Sequence, residues 1–129
     1  MKSLTAVALL AASANVLAAS DFSVTCIDEA VDPKTQVLTA NCDTGDGKGT
    51  LKATSLDLDD CFAYTDNKIV LSRRGNFSQF CDDCHLYYLP DPYWPRLLAW
   101  VNCTCIGAAD EVAVNIDWGI ENNFGTLRC

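Results

Sequence analysis

One short phrase is spelled twice. Residues 22–26 read FSVTC and residues 77–81 read FSQFC, and each opens a longer echo. After Phe22-Ser23-x-x-Cys26 come Val37-Leu38-Thr39-Ala40-Asn41-Cys42, then Leu56-Asp57-Leu58-Asp59, then Asp66-Asn67-Lys68-Ile69-Val70-Leu71. After Phe77-Ser78-x-x-Cys81 come Trp100-Val101-Asn102-Cys103-Thr104-Cys105, then Val114-Asn115-Ile116-Asp117, then Asn122-Asn123-Phe124-Gly125-Thr126-Leu127. The order is the same in both, which marks an internal duplication, with repeat one over about 22–74 and repeat two over about 77–129. Register slips because repeat two carries an insertion, HLYYLPDPYWPRL at 85–97. A unit of roughly fifty residues exposes too much surface to close a good core alone. The physical solution is for the copies to share strands, each lending a hairpin to the other's sheet. That arrangement places the C-terminus beside repeat one.

Within each copy the apolar residues have period two. Leu38/Ala40/Cys42, Leu56/Leu58 and Val112/Val114/Ile116 alternate with polar partners, as half-buried strands do. Turn residues separate them, at 44–49 (TGDGKG) and at 122–125 (NNFG). Beyond the first twenty residues no long helical stripe is present, and the expectation is an all-β domain.

Residues 1–19 have one cation at Lys2, an apolar run, and small residues toward Ala18 and Ala19. This is the layout of a secretory signal peptide, so the mature domain is expected over 20–129 and outside the cell. Losing Lys2 leaves 8 basic against 17 acidic residues, a formal charge of −9. Such a surface repels phosphate backbones and anionic lipid, so neither nucleic acid nor membrane is an expected partner. All eight cysteines follow the leader, and an even count in a short secreted chain reads as a disulfide framework. Each bridge adds on the order of 2–4 kcal/mol to a modest core. Cys81-x-x-Cys84 with Cys103-x-Cys105 also has the spacing of a four-thiolate zinc site. Behind a leader, disulfides are the expectation, with no metal and no cofactor.

The ordered, repeated motifs resemble the cyanovirin-N homology family, and most of all its secreted fungal members with extra cysteines. The resemblance covers about residues 22–129. It implies a pseudo-twofold, disulfide-stabilised all-β fold of two strand-exchanged repeats. It also implies Cys26–Cys42 and Cys81–Cys105. Antiparallel pairing of the segments holding 81 and 105 would then set Cys84 against Cys103 and leave Cys61 to Cys129; the sequence equally allows Cys81–Cys103 with Cys84–Cys105.

The same resemblance implies a lectin for mannose-type or other cell-wall glycans, with two shallow pockets and no catalysis. Vicinal sugar hydroxyls present paired donors and acceptors, which a carboxylate, an amide or a hydroxyl can match. One pocket would draw on Asp21, Val24 and Thr25, on Asp43 and Thr44, and on Asn122, Asn123 and Phe124, although the family favours Asp-Gly where Phe124-Gly125 stands. The other would use Asn76, Gln79 and Phe80 with Ala63 and Ile106–Ala108, a poorer set of sugar partners. Asn76-Phe77-Ser78 and Asn102-Cys103-Thr104 are glycosylation sequons, and a glycan on Asn76 would block the second pocket.

Other constellations carry less. The insertion's Tyr87, Tyr88, Tyr93 and Trp94 among Pro90, Pro92 and Pro95 make an aromatic segment, expected to cover the sheet with at least half of its rings. A loop that stacks on sugars or binds protein stays open, and the rival reading of function is that 86–97 captures a protein partner on a scaffold that has lost sugar binding. Asp43-Thr44-Gly45-Asp46-Gly47 lacks the order of a calcium loop. Asp57, Asp59 and Asp60 are expected to face water, and His85 has no nucleophile in a recognisable context. Strand-sharing halves joined by Ser72-Arg73-Arg74-Gly75-Asn76 allow a monomer or a domain-swapped dimer.

Overall fold

The doubled phenylalanine is the anchor of each half. Phe22 and Phe77 are 0% and 1% exposed, each on a 3-10 turn (Phe22–Val24 and Phe77–Gln79) just before a strand. This is seen in a computed structural model that describes residues 20–129, so the leader read over 1–19 lies outside the described residues. Ten strands follow the two anchors. Repeat one gives β1 (Cys26–Val31), β2 (Val37–Asp43), β3 (Leu51–Asp57), β4 (Phe62–Thr65) and β5 (Lys68–Leu71). Repeat two gives β6 (Cys81–Pro90), β7 (Leu97–Cys105), β8 (Val112–Asn115), β9 (Glu121–Asn123) and β10 (Thr126–Arg128). Each repeat is thus an antiparallel three-stranded meander followed by a two-stranded hairpin.

The hairpins change sides. β10 lies against β3, with Leu127 N–H donating to Thr54 Oγ1 at 3.1 Å and Lys52 Nζ to Thr126 Oγ1 at 2.9 Å. In return β5 lies against β8. The 3-10 turn of repeat one is likewise held by repeat two, through Phe22 N–H to Ile120 O at 3.1 Å. The buried side chains form one cluster drawn from both repeats, including Leu38, Leu58, Phe62, Ile116 and Ile120, with Phe62 and Phe77 packed edge to face. Burying each such side chain is worth about 1.5–3 kcal/mol, a gain that neither meander collects alone.

Period two holds on β2, where Leu38, Ala40 and Cys42 face inward and Thr39 outward. It stops earlier than the sequence pattern predicts. β3 ends at Asp57 and β8 at Asn115, and the chain turns into 3-10 turns at Leu58–Asp60 and Ile116–Trp118. The side chains of Asp57 and Asn115 cap these turns, accepting N–H of Asp59 and Asp117. Leu58 and Ile116 still bury, but as turn residues. The terminal hairpins also match differently from the sequence alignment. The turn Asp66-Asn67 is equivalent to Phe124-Gly125, so Ile69 (6% exposed) corresponds to Leu127 (3%), while Leu71 stands out at 58%.

The expectation that Asp59 faces water is overturned. Asp59 is half-buried and accepts Ser78 N–H at 2.8 Å and the Ser78 hydroxyl. Asp117 does the same for Ser23 in the other direction, from Ser23 N–H at 2.9 Å and its hydroxyl, and adds Ala99 N–H at 2.7 Å. Asp117 is fully buried. Each serine of the doubled phrase is therefore read by an acid of the opposite repeat. Exchange is written into the polar contacts as well as the strands.

Four cystines tie the arrangement: Cys26–Cys42, Cys61–Cys129, Cys81–Cys105 and Cys84–Cys103. Of the two pairings that the sequence left open within repeat two, this is 81–105 with 84–103, so the four thiols that could have gripped zinc are spent on one another. Cys61–Cys129 joins the end of repeat two to the start of β4. The connector between repeats runs tight against repeat one. Ser72, Arg74 and Asn76 donate N–H to the carbonyls of Cys61, Asp60 and Asp59. A Cβ on Gly75 would meet Phe62 O at 2.3 Å, so no other residue fits there.

The insertion mostly lengthens a hairpin. In both repeats the meander turns at Asp-Pro, Asp32-Pro33 and Asp91-Pro92, but β6 and β7 pair as far as Pro90 with Leu97. Tyr87 packs on Trp100 and is half-buried, and the Tyr88 hydroxyl donates to Glu29 Oε1 at 2.8 Å. Burial, with the nearby Glu29, raises the Tyr88 phenol above its ordinary range. These two rings cover sheet; Tyr93 (84% exposed) and Trp94 (66%) do not.

Candidate functional site

The strand exchange builds two equivalent grooves, each where a 3-10 turn, the end of a meander strand and the other repeat's hairpin meet. In the first, Thr25 comes from the turn, Asp43 from the end of β2, and Asn122, Asn123 and Phe124 from the β9–β10 hairpin, around a volume of about 430 Å³. The loop after β2 adds backbone at Gly45 and Gly47.

Asn122 knits these parts together. Its Nδ2 donates to Thr25 Oγ1 and to Asp43 O, both at 2.9 Å, and its Oδ1 accepts Gly125 N–H at 2.7 Å. That exhausts the amide's donors, so Asn122 holds the groove's shape. Asp43 N–H donates to Thr25 O at 2.9 Å, and Asp43 Oδ1 accepts Gly45 N–H at 2.7 Å. Among the described residues Asp43 Oδ2 and the Asn123 side-chain amide have no hydrogen-bond partner. They supply one strong acceptor and one donor–acceptor pair beside the Thr25 hydroxyl. Phe124 sits at φ 52° with its ring 77% exposed, over Gly45, where a Cβ would meet the ring at 3.3 Å. The arrangement offers an apolar face next to paired polar groups, the pattern that a polyhydroxylated ring satisfies.

Three residues assigned to this pocket from the sequence lie elsewhere. Asp21 turns away and accepts from Arg96 Nη2 at 3.2 Å, Val24 is exposed off the groove, and Thr44 packs its methyl on Gly125. Gly45 and Gly47 were missed; no side chain signals a lining that is backbone.

The second groove, of about 310 Å³, is lined by Gln79, Phe80, Asp82, Thr104 and Ile106 among others. Gln79, Phe80 and Ile106 are where the sequence reading put them. Asn76, Ala63 and the Gly107-Ala108 pair do not line it. Asn76 occupies the position of Asp21, before the 3-10 turn, at φ 53° and exposed. A glycan on it would therefore grow beside the groove. The other sequon residue, Asn102, is half-buried and donates to Glu111 Oε1 at 2.8 Å.

Tyr64, which the sequence reading passed over, takes the place of Asn122. Its hydroxyl donates to Ile106 O at 2.7 Å, with Asn67 Oδ1 at 3.1 Å, and its ring lies 6.2 Å from that of Phe80. Thr25, Asp43 and Asn122 are thus matched by Phe80, Ile106 and Tyr64. The loop resembling a calcium site folds on itself instead. Asp46 is bonded by the Thr50 hydroxyl and by Lys48 N–H, which hold its carboxyl below the usual range. Among the described residues no group of three His, Cys, Asp or Glu side chains is placed to hold a metal ion.

Comparison with known proteins fits this geometry. A family model described as the CVNH domain matches residues 22–128. Curated protein sequences give no match. Among solved structures, GzCVNH of Gibberella zeae is 22% identical with a TM-score of 0.67, covering 84% of this chain and 95% of that one. Microvirin, solved in a complex with mannobiose, is 26% identical with a TM-score of 0.61 and coverage of 84% and 97%. A MoCVNH3 variant solved with (N-GlcNAc)4 is 12% identical with a TM-score of 0.57 and coverage of 84% and 96%.

Proposed function

The chain belongs to the CVNH domain family, and on that premise we propose that it is a secreted, non-catalytic carbohydrate-binding protein. Its principal site is the groove of Thr25, Asp43 and Asn123, and its ligands are mannose-type or other cell-wall glycans. The observation that carries this reading is the pair of unpartnered polar groups, Asp43 Oδ2 and the Asn123 amide, held beside the exposed Phe124 ring by Asn122. Two relatives were solved with saccharides bound, one with mannobiose and one with an N-acetylglucosamine tetramer, which supports the ligand class. Secretion is supported by the leader-like start and by eight cysteines joined in four bridges.

A glycan array on the oxidised mature chain tests the proposal. The expected result is binding of at least one mannose- or N-acetylglucosamine-containing glycan. Asn123→Ala and Asp43→Ala should each weaken it at least about tenfold, because a desolvated sugar hydroxyl is left without its partner. No binding of any glycan at millimolar concentration would remove the reading. Asn76 and Gln79, beside and within the second groove, are expected to contribute little.

A further inference from the structure

The long hairpin of repeat two fixes its turn firmly and still leaves aromatic rings in water. Asp91 Oδ1 accepts Tyr93 N–H at 2.8 Å, and Asp91 N–H donates to Arg96 O at 2.9 Å. Arg96 N–H reaches Trp94 O at 2.8 Å, and Arg96 Nε donates to Asp91 Oδ2 at 2.7 Å. Pro92 and Pro95 lock φ on either side of the two aromatics. The Asp91 side chain is 5% exposed and that of Arg96 30%, so this is a half-buried clasp. From it Arg96 reaches on to Asp21. Across from the turn, Trp118 projects from its 3-10 turn at 64% exposure, although its neighbours Ile116 and Asp117 are fully buried. Tyr93, Trp94 and Trp118 with Asp21, Asp91 and Arg96 frame a groove of about 440 Å³.

Repeat one has no counterpart. Asp60 stands where Trp118 stands, and the short turn Asp32-Pro33-Lys34-Thr35-Gln36 carries no ring. Large rings that are ordered yet solvated gain nothing for the fold, and ordering in advance is what a binding surface needs. Arg96 spends two of its five N–H donors on Asp91 and Asp21, leaving others beside the Asp21 carboxylate: a donor next to an acceptor.

We propose that this groove is a third saccharide site, of the stacking kind, whose ligand is a β-1,4-linked chain of glucose- or N-acetylglucosamine-type pyranoses. Rings of that type hold their substituents equatorially, so both faces present only axial C–H groups and lie flat on an indole. Their rim hydroxyls then meet Arg96 and Asp21. A mannose ring carries an axial hydroxyl on one face and fits such a platform less well. The site shares no residue with the groove of Thr25, Asp43 and Asn123, so either can fail while the other stands.

The test is NMR on isotope-labelled, oxidised mature chain, titrated separately with cellotetraose, chitotetraose and mannobiose. The indole N–H resonances of Trp94 and Trp118 are expected to move with at least one tetramer while that of the half-buried Trp100 stays. Trp118→Ala, at an exposed position, should weaken that tetramer's binding, read at the Trp94 indole, about tenfold, and Asn123→Ala should leave the Trp94 and Trp118 indole shifts as they are in the parent. The proposal is overturned if neither tetramer moves these indoles at millimolar concentration, or if Trp118→Ala binds as the parent does. Equal binding of mannobiose at this site would overturn it too, as would indole shifts produced only by a protein partner.

Discussion

The two equivalent grooves share a backbone plan and almost no chemistry. In both, a side chain from the exchanged hairpin reaches across to the carbonyl that ends a meander strand: Asn122 to Asp43 O, Tyr64 to Ile106 O. That carbonyl needs a donor in either half, and the exchanged hairpin provides it. Around this common pin, Thr25 and Asp43 are replaced by Phe80 and Ile106. One groove keeps free polar groups beside a ring; the other presents the apolar pair Phe80 and Ile106, with the Phe80 ring 6.2 Å from that of Tyr64. The comparison separates what the fold demands, a satisfied carbonyl between repeats, from what a ligand would demand, the side chains beside it.

The largest expected effect concerns the polar locks between repeats, where the two halves differ in depth. Asp117 is fully buried and accepts from three donors, whereas half-buried Asp59 accepts from two. Asp117→Ala leaves buried N–H and O–H groups without partners and should cost about 3–5 kcal/mol. Asp59→Ala should cost about 1–2 kcal/mol, since water can reach Ser78. Urea unfolding followed by tryptophan fluorescence gives both numbers, and equal costs would break the claimed asymmetry.

Exchanging side chains between grooves is the next test. Thr25→Phe with Asp43→Ile should lower glycan affinity at the first groove on the order of tenfold to a hundredfold, and cost about 1–2 kcal/mol of stability with the lost Asn122–Thr25 and Gly45–Asp43 hydrogen bonds. The reciprocal pair, Phe80→Thr with Ile106→Asp, should give the second groove measurable binding. It should lose about 0.5–1.5 kcal/mol of stability with the Tyr64–Phe80 contact. Backbone amides near Cys42 and Cys105 report each groove separately during a titration. If the reciprocal pair stays silent, the difference between the grooves lies in shape and not in these side chains.

How far this was legible follows from where the information sits. The strands could be read because period-two burial is a local signal repeated twice, and the exchange because a half of roughly fifty residues cannot close a core alone. The Asp59–Ser78 and Asp117–Ser23 locks were not read, because an acid on an alternating stretch looks solvent-facing and its partner is on the other repeat. A signal existed: the serine recurs after each phenylalanine, and an aspartate recurs in each Leu-Asp and Ile-Asp pair. Thr25, Asp43, Asn122 and Asn123 meet as expected, since each flanks a motif that the exchange brings together. Asp21 escaped because its partner Arg96 lies in the insertion, for which repeat one offers no template. Tyr64 escaped because a tyrosine in a short strand reads as packing, and its hydroxyl's target, Ile106 O, is fixed only by the fold.

A smaller effect sharpens the role of the shared pin. Tyr64→Phe removes one hydroxyl whose acceptor lies at an exposed position, so unfolding free energy should fall by about 1 kcal/mol or less. Asn122→Ala removes three hydrogen bonds, two of them donated by one amide, and should cost about twice as much. It should also loosen the first groove enough to broaden the amide signals of Asn123 and Gly125. A larger loss from Tyr64→Phe would mean that the second groove, not the first, is the one the hairpin exchange depends on.

The smallest effect compares the two Asp-Pro turns. Asp32 accepts N–H from Lys34 and Thr35, Asp91 from Tyr93, and these bonds to backbone hold both carboxyls below their ordinary 3.8. A carboxyl depressed in the folded state stabilises its turn fully above the unfolded value and loses that contribution as pH falls through the folded one. The amide shifts of Lys34 and Tyr93 should therefore stay constant between roughly pH 7 and pH 5 and move only below about 3.8. The turns should then part company. Protonating Asp32 releases only its own loop, whereas protonating Asp91 also releases Arg96, which grips Asp21 and carries Trp94 on its N–H. The Trp94 indole should follow the Tyr93 amide through the same transition. If it stays fixed while Tyr93 moves, the clasp does not order the rings, and the preorganisation argued for the stacking groove must come from the prolines alone.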